Sequence, residues 1–184
     1  MVSGRFWETR NVEVDDGFTL IELIVVMAIL GILIAIAVPT YLGVINQAHN
    51  TSAVSSLANG YMISKEVFVE SNASYPTPVQ MVKDMKQIST TYTFTTGISK
   101  NVNEISVATN GTLTSVGTWV SLANLSPDGN CYYILDNSNT SSVPGQGVWY
   151  SVQGFKLTSC SAIVPPTWPT SNWSGWSNKP VSVP

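Results

Sequence analysis

The most informative reactive group near the start of the chain is a single carboxylate inside an apolar stretch. Between residues 18 and 38, Glu22 is the only charged residue. A charged side chain in a membrane-spanning helix costs about 2.5–3.5 kcal/mol at mid-bilayer and much less near the interface, so an acid in such a segment indicates a function. Glu22 follows Phe18 by one helical turn and lies near the edge of the stretch, where this cost is tolerable.

Other reactive side chains are few and poorly placed for catalysis. The chain has one histidine, His49, and two cysteines, with no CxxC pair. One histidine on a predicted helix does not support a Ser/His/Asp set, and no Walker-type or dinucleotide-binding glycine motif occurs. No second His or Cys stands at metal-ligand spacing from His49, which we interpret as a surface residue. The sequence therefore predicts a non-enzymatic protein with no cofactor and no metal site.

The element that carries Glu22 is an uninterrupted apolar run. Nothing polar occurs from residue 23 to residue 38, and Pro39 follows. At about 1.5 Å per helical residue, residues 18–38 cover a hydrocarbon core of about 30 Å. This length predicts a single transmembrane helix, but an anchor alone does not explain the acid at Glu22.

Four features of this stretch together resemble the N-terminal signal of type IV prepilins and pseudopilins. They are Gly17, Phe18 directly after it, the acid at Glu22, and Pro39 at the end of the apolar run. In that family a membrane-embedded aspartyl protease, the prepilin peptidase, cuts after the glycine and methylates the new amine. The resemblance therefore implies cleavage between Gly17 and Phe18, N-methylation of Phe18, and Glu22 as the assembly residue.

Two roles remain open for the carboxylate of Glu22. Cleavage would place a positive amine at Phe18, at the positive end of the helix macrodipole, where a cation is disfavoured. Glu22 is at position i+4 from Phe18 and could neutralise the amine of its own chain. Alternatively it meets the amine of a neighbouring subunit, as the resemblance implies. A wrong axial stagger would then leave two buried charges unpaired, so the pair would set the register of a filament.

Residues 1–17 resemble a cleaved leader peptide, with one departure from the family pattern. Asp15 and Asp16 precede Gly17, where prepilin leaders commonly carry Lys or Arg, and in this respect the leader resembles those of pilins from high-GC Gram-positive bacteria. The two arginines lie further back, so the positive-inside signal is weak. We expect a single-pass precursor in the inner or cytoplasmic membrane, with its N-terminus cytoplasmic, and an extracellular surface fibre after assembly.

The helical pattern continues beyond the apolar run. Pro39 removes a backbone donor and, with the weak helix former Gly31, predicts a helix kink; a tolerated transmembrane proline is the alternative. Residues 39–72 predict an amphipathic continuation whose apolar stripe docks on a globular head. That stripe recurs at helical spacing and comprises Val54, Leu57, Ala58, Tyr61, Met62 and Phe68. A helix of about 50 residues greatly exceeds the globular mean of about 12, which favours a fibre subunit.

Residues 73–162 predict a globular, β-rich head. Residues 79–88 are predicted as a short helix, after which the apolar period changes to two. The predicted strands are 91–95, 104–108, 112–116, 118–122, 131–136, 148–152 and 155–160. Asn110-Gly111 predicts a two-residue hairpin turn between the second and third. We expect four to six of these strands in one antiparallel sheet packed against the long N-terminal α-helix, an α+β, pilin-like fold.

The two cysteines and the tryptophans of the C-terminal tail are further candidate functional residues. In an exported head Cys131 and Cys160 would form one disulfide, as pilins often do near their C-terminus; two free buried thiols are the alternative. Residues 163–184 form a tail rich in Pro, Ser and Trp, too rich in proline for a central strand. Trp168, Trp173 and Trp176 could contact sugars, a neighbouring subunit or another surface, or pack back on their own head.

Charge excludes one class of partner. The formal net charge is −3, with 10% charged residues, so no overall basic footprint for nucleic acid exists. We expect a structural pilin that forms a homo-oligomeric helical filament. Its partners would be the prepilin peptidase, the pilus assembly machinery and, before assembly, the membrane.

Two alternatives to this prediction stay open. One is a pseudopilin or minor pilin of a type II secretion or DNA-uptake system, and the other, in a different class, is a monomeric membrane-anchored carbohydrate-binding module. Whether a fibre of this kind serves adhesion, motility or DNA uptake depends on partners encoded elsewhere.

Overall fold

The computed structural model describes residues 17–115, 117–139, 146–154, 156–162 and 175–179. The chain divides into two compact units, Met1–Leu42 and Gly43–Pro184. Helix α1 (Leu20–Glu70) begins in the first unit and ends in the second. Its 51 residues confirm the predicted long N-terminal helix.

The described part of the first unit is the N-terminal half of α1. Every residue of this half is exposed to solvent in the isolated chain. The helix continues through Gly31 and Pro39, and just after the proline the hydroxyl of Thr40 donates a hydrogen bond to the carbonyl of Ile36 at 3.2 Å. The predicted extent of the helix is therefore confirmed, whereas a kink at Gly31 or Pro39 stays a prediction.

The C-terminal half of α1 packs its small side chains inward. Its buried residues are Asn50, Ala53, Ser56, Leu57, Gly60, Ser64 and Val67. Two members of the predicted stripe, Ala58 and Met62, are exposed instead, so that part of the prediction is wrong. The reason is close packing: a Cβ added to Gly60 would lie 2.7 Å from Cδ1 of Ile105 on the sheet. A helix held this near selects small residues for its inner face.

Helix α2 (Pro78–Ile88) confirms the predicted short helix. Thr77 caps its N-terminus, because its hydroxyl accepts the backbone N–H of Gln80 at 3.3 Å, and Pro78 occupies the first turn, where a missing donor costs nothing. The buried face of α2 presents Met81, Val82 and Met85. Because these three positions recur at helical spacing, the sequence was sufficient to place this element.

Within the described residues, five strands form one mixed sheet with the order β1-β3-β4-β5-β6. The strands are β1 (Thr93–Thr95), β2 (Ile98–Ser99), β3 (Glu104–Thr109), β4 (Trp119–Leu125), β5 (Cys131–Asn137), β6 (Gly147–Gln153) and β7 (Cys160–Ser161). The pairs from β3 to β6 are antiparallel, as predicted, but β1 runs parallel to β3. In the sequence, β2 lies between β1 and β3 and pairs with β7 in a separate two-stranded sheet. This connection lets β3 run in the same direction as β1.

The connection between β3 and β4 differs from the predicted hairpin. Residues 112–115 form a loop and not a strand. The side-chain oxygen of Asn110 accepts the N–H groups of Thr118 at 2.8 Å and Trp119 at 3.0 Å, so a side chain closes the connection that a two-residue turn was expected to make. A Cβ on Gly111 would collide with the backbone of Tyr75, so this glycine serves a close approach of two chain segments.

The last predicted strand is also wrong for most of its length. Of residues 155–160, only Cys160 lies in a strand, and Phe155 is outside the described residues. Lys156 adopts a φ of 48°, a left-handed backbone that interrupts an extended chain. The backbone here instead bonds to the turn before β5, with the N–H of Leu157 donating to the carbonyl of Gly129 at 2.8 Å.

Both faces of the sheet are covered. The face toward α1 and α2 carries the larger core, built from strand residues with alternate positions inward, including Ile105, Val107, Val120, Leu122, Tyr132 and Ile134. The opposite face carries a smaller cluster: Ala108, Ala123, Leu125, Cys131, Tyr133, Cys160 and Ala162, with Trp119, Leu157 and Trp176 partly buried against it. The fold is α+β with a pilin-like arrangement of one long helix and an antiparallel-dominated sheet.

Candidate assembly site

Thr19 and Glu22 form a reciprocal hydrogen-bonded cap at the start of α1. The backbone N–H of Thr19 donates to Oε2 of Glu22 at 2.9 Å, and the Thr19 hydroxyl donates to the same oxygen at 2.8 Å. The backbone N–H of Glu22 donates to the Thr19 hydroxyl oxygen at 3.3 Å. This is a capping box, in which a Thr before the helix and a Glu three residues later satisfy each other's free N–H groups.

Glu22 was predicted as a site residue from the sequence, whereas Thr19 was not. The signal was present, because Thr19-Leu20-Ile21-Glu22 has the Thr-x-x-Glu spacing of a capping box. Both side-chain bonds to Glu22 end on Oε2, and among the described residues Oε1 has no hydrogen-bond partner. A carboxylate has about four acceptor positions, so one oxygen can hold the cap while the other accepts a further donor.

Gly17 and Phe18 precede the helix and are accessible. Both residues are exposed, and Phe18 keeps 89% of its surface accessible. Nothing lies within 4 Å of the position that a Gly17 Cβ would occupy. The bond between the two residues is therefore exposed in the described part of the chain, and Thr19 separates it from the first helical residue, Leu20.

The apolar half of α1 presents large side chains to the outside all around its circumference. From Leu20 to Val44, the least exposed of the large apolar side chains, Leu30, still has 45% of its surface accessible. A helix that is apolar on all sides needs an apolar environment, either lipid or other helices. Within the described residues, α1 is the one helix long and apolar enough to cross a membrane.

A buried carboxylate in the head, Asp136, joins three elements and was not predicted. Its Oδ2 accepts the Tyr75 hydroxyl at 2.6 Å and lies 2.8 Å from Nζ of Lys65, with the Tyr61 hydroxyl at 3.4 Å. The ammonium of Lys65 also lies 4.3 Å from the centre of the Phe68 ring, within the range of a cation–π contact. Asp136 on β5 is thereby fastened to α1 and to the segment between α1 and α2.

Three tyrosines packed in the head have raised pKa values. Burial, and then the hydrogen bond and negative charge of Asp136, raise the pKa of Tyr75 far above its ordinary value. Burial and the charge of Asp136 raise the pKa of Tyr61 in the same direction. Burial raises the pKa of Tyr133 to about 12. These hydroxyls therefore act as hydrogen-bond donors over the whole physiological range.

A second polar contact joins α1 to the turn before β5. Nδ1 of His49 lies 3.0 Å from Oδ1 of Asp128, and next to it the Asn130 amide donates to the side-chain oxygen of Asn50 at 3.1 Å. His49 is 40% exposed, which agrees with its interpretation as a surface residue. No group of three metal-ligating side chains occurs in the described part of the chain, where the ion pair of His49 is with Asp128.

The two cysteines and Trp176 lie on the far face of the sheet. Cys131 and Cys160 form a disulfide with a Cα–Cα distance of 5.7 Å, which confirms the predicted pair. Trp176 is partly buried against the cluster on that face, and its neighbour Ser177 pairs with Tyr150 on β6 through two backbone hydrogen bonds. At this position the tryptophan packs on its own head. Trp168 and Trp173 lie outside the described residues.

Comparisons with known proteins identify the N-terminal segment. Residues 15–38 match the family described as the prokaryotic N-terminal methylation motif. Two curated proteins of Moraxella bovis, fimbrial protein Q and a type IV major alpha-pilin, are each 52% identical to this chain over 46 residues, which is 25% of the chain. The aligned part spans only 29% of each relative. No solved structure is a significant match to the chain.

The resemblance to type IV pilins drawn from the sequence is thus confirmed, and the matched segment includes Gly17, Phe18 and Glu22. The matched relatives are named as fibre proteins and not as enzymes. The apolar helix and the methylation motif fit a membrane-anchored precursor and a surface fibre.

Proposed function

We propose that this chain, whose residues 15–38 match the prokaryotic N-terminal methylation motif, is a structural and non-catalytic subunit of a type IV pilus. The observation that carries the proposal is the apolar half of α1, which is exposed on every side and contains one acid. Burying apolar surface contributes about 25 cal/mol per Å², so a helix of this kind strongly favours lipid or other helices over water. During pilus assembly the helix would move from lipid into contact with the helices of other subunits.

Processing would precede assembly. A prepilin peptidase would cut the accessible bond between Gly17 and Phe18 and methylate the new amine of Phe18. Cutting there removes residues 1–17 and leaves α1 intact, so the mature chain keeps its membrane anchor. The remaining boundaries that we propose are an assembly helix over residues 18–38, its amphipathic continuation over 39–72, a head over 73–162 and a tail over 163–184.

Glu22 would set the axial register of the fibre. The capping box already uses Oε2 and holds the carboxylate toward the N-terminal end of its own helix. Oε1 is left to accept the Phe18 amine of a neighbouring copy, which would neutralise both charges in an apolar bundle. Because an unpaired charge buried there would cost several kcal/mol, subunits one step out of register would be rejected.

The test compares three versions of residue 22 in cells that assemble the fibre. Glu22→Ala removes both the cap and the charge, whereas Glu22→Gln keeps a carbonyl that can accept from Thr19 and removes only the charge. The proposal expects normal membrane insertion of all three chains, and fibres only from the wild type. Fibres from Glu22→Gln at wild-type amount would show that capping alone is needed, and would contradict a register role.

A pseudopilin or minor pilin would use the same helix and the same processing. Abundance separates these roles, because a main subunit forms most of the mass of sheared fibres and a minor one a trace. A monomeric membrane-anchored binding module would be indifferent to the charge at residue 22.

A further inference from the structure

Near its C-terminal end, helix α1 carries acidic and exposed apolar residues that are unfavourable for an isolated helix. Glu66 and Glu70 stand one turn apart at the end of the helix, and the last turn contains no basic residue. Acids there are disfavoured by the helix macrodipole, and like charges at i and i+4 repel. Two apolar residues of the same region are also exposed, Met62 at 67% and Val69 at 73%. Such conflicts commonly mark a surface that serves a function.

These residues lie on one face, which we call the outer face of α1: Ala58, Met62, Glu66 and Val69, with Glu70 at its border. At 100° per residue, the first four fall within an arc of about 80°. The residues buried against the sheet, such as Gly60, Ser64 and Val67, point to the opposite side. The ion pairs in the described part of the chain are His49–Asp128 and Lys65–Asp136, so neither Glu66 nor Glu70 is paired there.

Helix α2 carries a matching surface of opposite charge. Val79, Lys83 and Lys86 recur at spacings of four and three, and all three are exposed, Val79 at 73%. We call this set the outer face of α2. The buried residues of this helix lie on another side. Neither lysine belongs to an ion pair in the described residues.

We infer that the outer face of α1 in one copy of this chain docks on the outer face of α2 in a second copy. Glu66 and Glu70 would meet Lys83 and Lys86, while the exposed apolar residues of both faces would cover each other. At 1.5 Å per residue the two acids are about 6 Å apart along their helix and the two lysines about 4.5 Å, so both pairs form in one alignment. The inference rests on the proposed function, because a fibre holds copies side by side.

The charges on the two faces would fix the relative orientation of two heads more than they would increase the affinity between them. Exposed ion pairs contribute little to affinity on their own. Juxtaposed like charges cost much more, so complementary charges reject wrong arrangements of copies. The surface would therefore choose which sides of two heads meet, while the apolar helices supply most of the cohesion.

A charge-exchange experiment on the full chain tests this pairing. Two double variants reverse the charge of one face each: Glu66→Lys with Glu70→Lys, and Lys83→Glu with Lys86→Glu. The quadruple variant carries all four changes and restores complementarity with exchanged signs. The control variant, Lys100→Glu with Lys179→Glu, reverses two exposed lysines outside both faces. The measured quantity is pilin in sheared fibres, relative to pilin in the membrane.

The inference expects at least about a tenfold loss for each double variant and recovery to within about twofold of wild type for the quadruple variant, since 1.4 kcal/mol is a factor of ten. The control should assemble normally, and all variants should keep the Cys131–Cys160 bond on a non-reducing gel. Two full-length double variants expressed together should also assemble with each other.

Three outcomes overturn the inference. If both double variants form as much fibre as the wild type, the proposed contact between the two faces is wrong, while the pilus proposal is unaffected. Fibre loss in the double variant at Glu66 and Glu70, with normal fibres from the double variant at Lys83 and Lys86, would assign the outer face of α1 to a basic partner of another kind. Loss in both without recovery in the quadruple variant would exclude their pairing. Absence of wild-type fibres would instead mean that the proposed function itself had failed.

Discussion

The hydroxyl of Thr19 stands 2.8 Å from Oε2 of Glu22, and the two residues satisfy each other's backbone N–H groups at the start of α1. An acid in an apolar segment is thus held in a defined position by its own chain. Both bonds that the carboxylate accepts end on Oε2, which leaves Oε1 able to accept a further donor. The proposed register role depends on this positioning.

The first prediction concerns Thr19. Thr19→Val keeps the shape of the side chain but removes the hydroxyl that donates to Glu22, whereas Thr19→Ser keeps it. We expect several-fold less fibre from Thr19→Val and nearly wild-type fibre from Thr19→Ser, with equal amounts of both chains in the membrane. Normal assembly of Thr19→Val would mean that the cap has no part in positioning Glu22.

The second prediction concerns the close approach of α1 to the sheet. Gly60→Ala places a methyl group 2.7 Å from Cδ1 of Ile105, the far end of a side chain that can rotate away, and it also gains about 1 kcal/mol of helix propensity. Relative to Gly43→Ala, which has the same gain, we expect it to destabilise the head by about 1 kcal/mol, at the low end for overpacking, in urea unfolding of the detergent-solubilised chain. Ile105→Val removes that atom, so the double variant should be more stable than Gly60→Ala alone. Gly43→Ala, with nothing within 4 Å of the new methyl, is the matched control. Additive losses in the double variant would refute the contact.

The third prediction concerns Asp136. Asp136→Ala leaves the Tyr75 hydroxyl and the Lys65 ammonium without their acceptor, and should cost about 2–3 kcal/mol of unfolding free energy. This is below the cost for a fully buried pair, because the Lys65 side chain is 37% exposed. Asp136→Asn should cost less, since its carbonyl still accepts from Tyr75. Equal losses for Ala and Asn would show that the hydrogen bond contributes nothing.

The fourth prediction is a loss of stability in alkali. Tyr61, Tyr75 and Tyr133 have raised pKa values in the folded head, whereas an unfolded tyrosine titrates near about 10. Above that pH the unfolded chain releases protons that the folded chain retains, so the free energy of unfolding falls as pH rises. We expect the urea midpoint to be constant from about pH 8 to 9 and to fall from about pH 10 to 12. Tyr75→Phe should flatten this fall, and an unchanged slope would contradict it.

Local patterns in the sequence were enough for the helices. Helix α1 follows from an apolar run and continuing helical spacing. Helix α2 follows from apolar residues at helical spacing between residues 79 and 88, and both signals are local. The inner face of α1 was harder to predict, because only contact with Ile105 explains why a glycine and serines, and not Met62, face the sheet. Composition along one helix does not reveal how near its partner lies.

Non-local pairing explains the errors in the sheet. The sequence predicts a strand over residues 91–95, but nothing nearby indicates that β1 pairs parallel with β3. Strand β2 was not predicted, because its partner lies about 60 residues later in the chain. Asn110-Gly111 was interpreted as a hairpin turn, but the glycine is needed because the backbone at Tyr75 passes close to it. Tyr75 is distant in sequence, so no local pattern indicated this contact. For the same reason Asp136 passed as an ordinary strand residue. By contrast, Gly17, Phe18 and Glu22 could be predicted as site residues because their signal is contiguous, within the segment that matches the methylation motif.

The most direct test of a processed, fibre-forming pilin is the intact mass of this protein in fibres sheared from the cell surface. The predicted mass is that of a chain beginning at Phe18, with one added methyl group and two hydrogens fewer for the Cys131–Cys160 bond. That result would establish cleavage, methylation and assembly in one spectrum. A chain that begins at Met1 and occurs in the membrane fraction, but never in sheared material, would contradict the account.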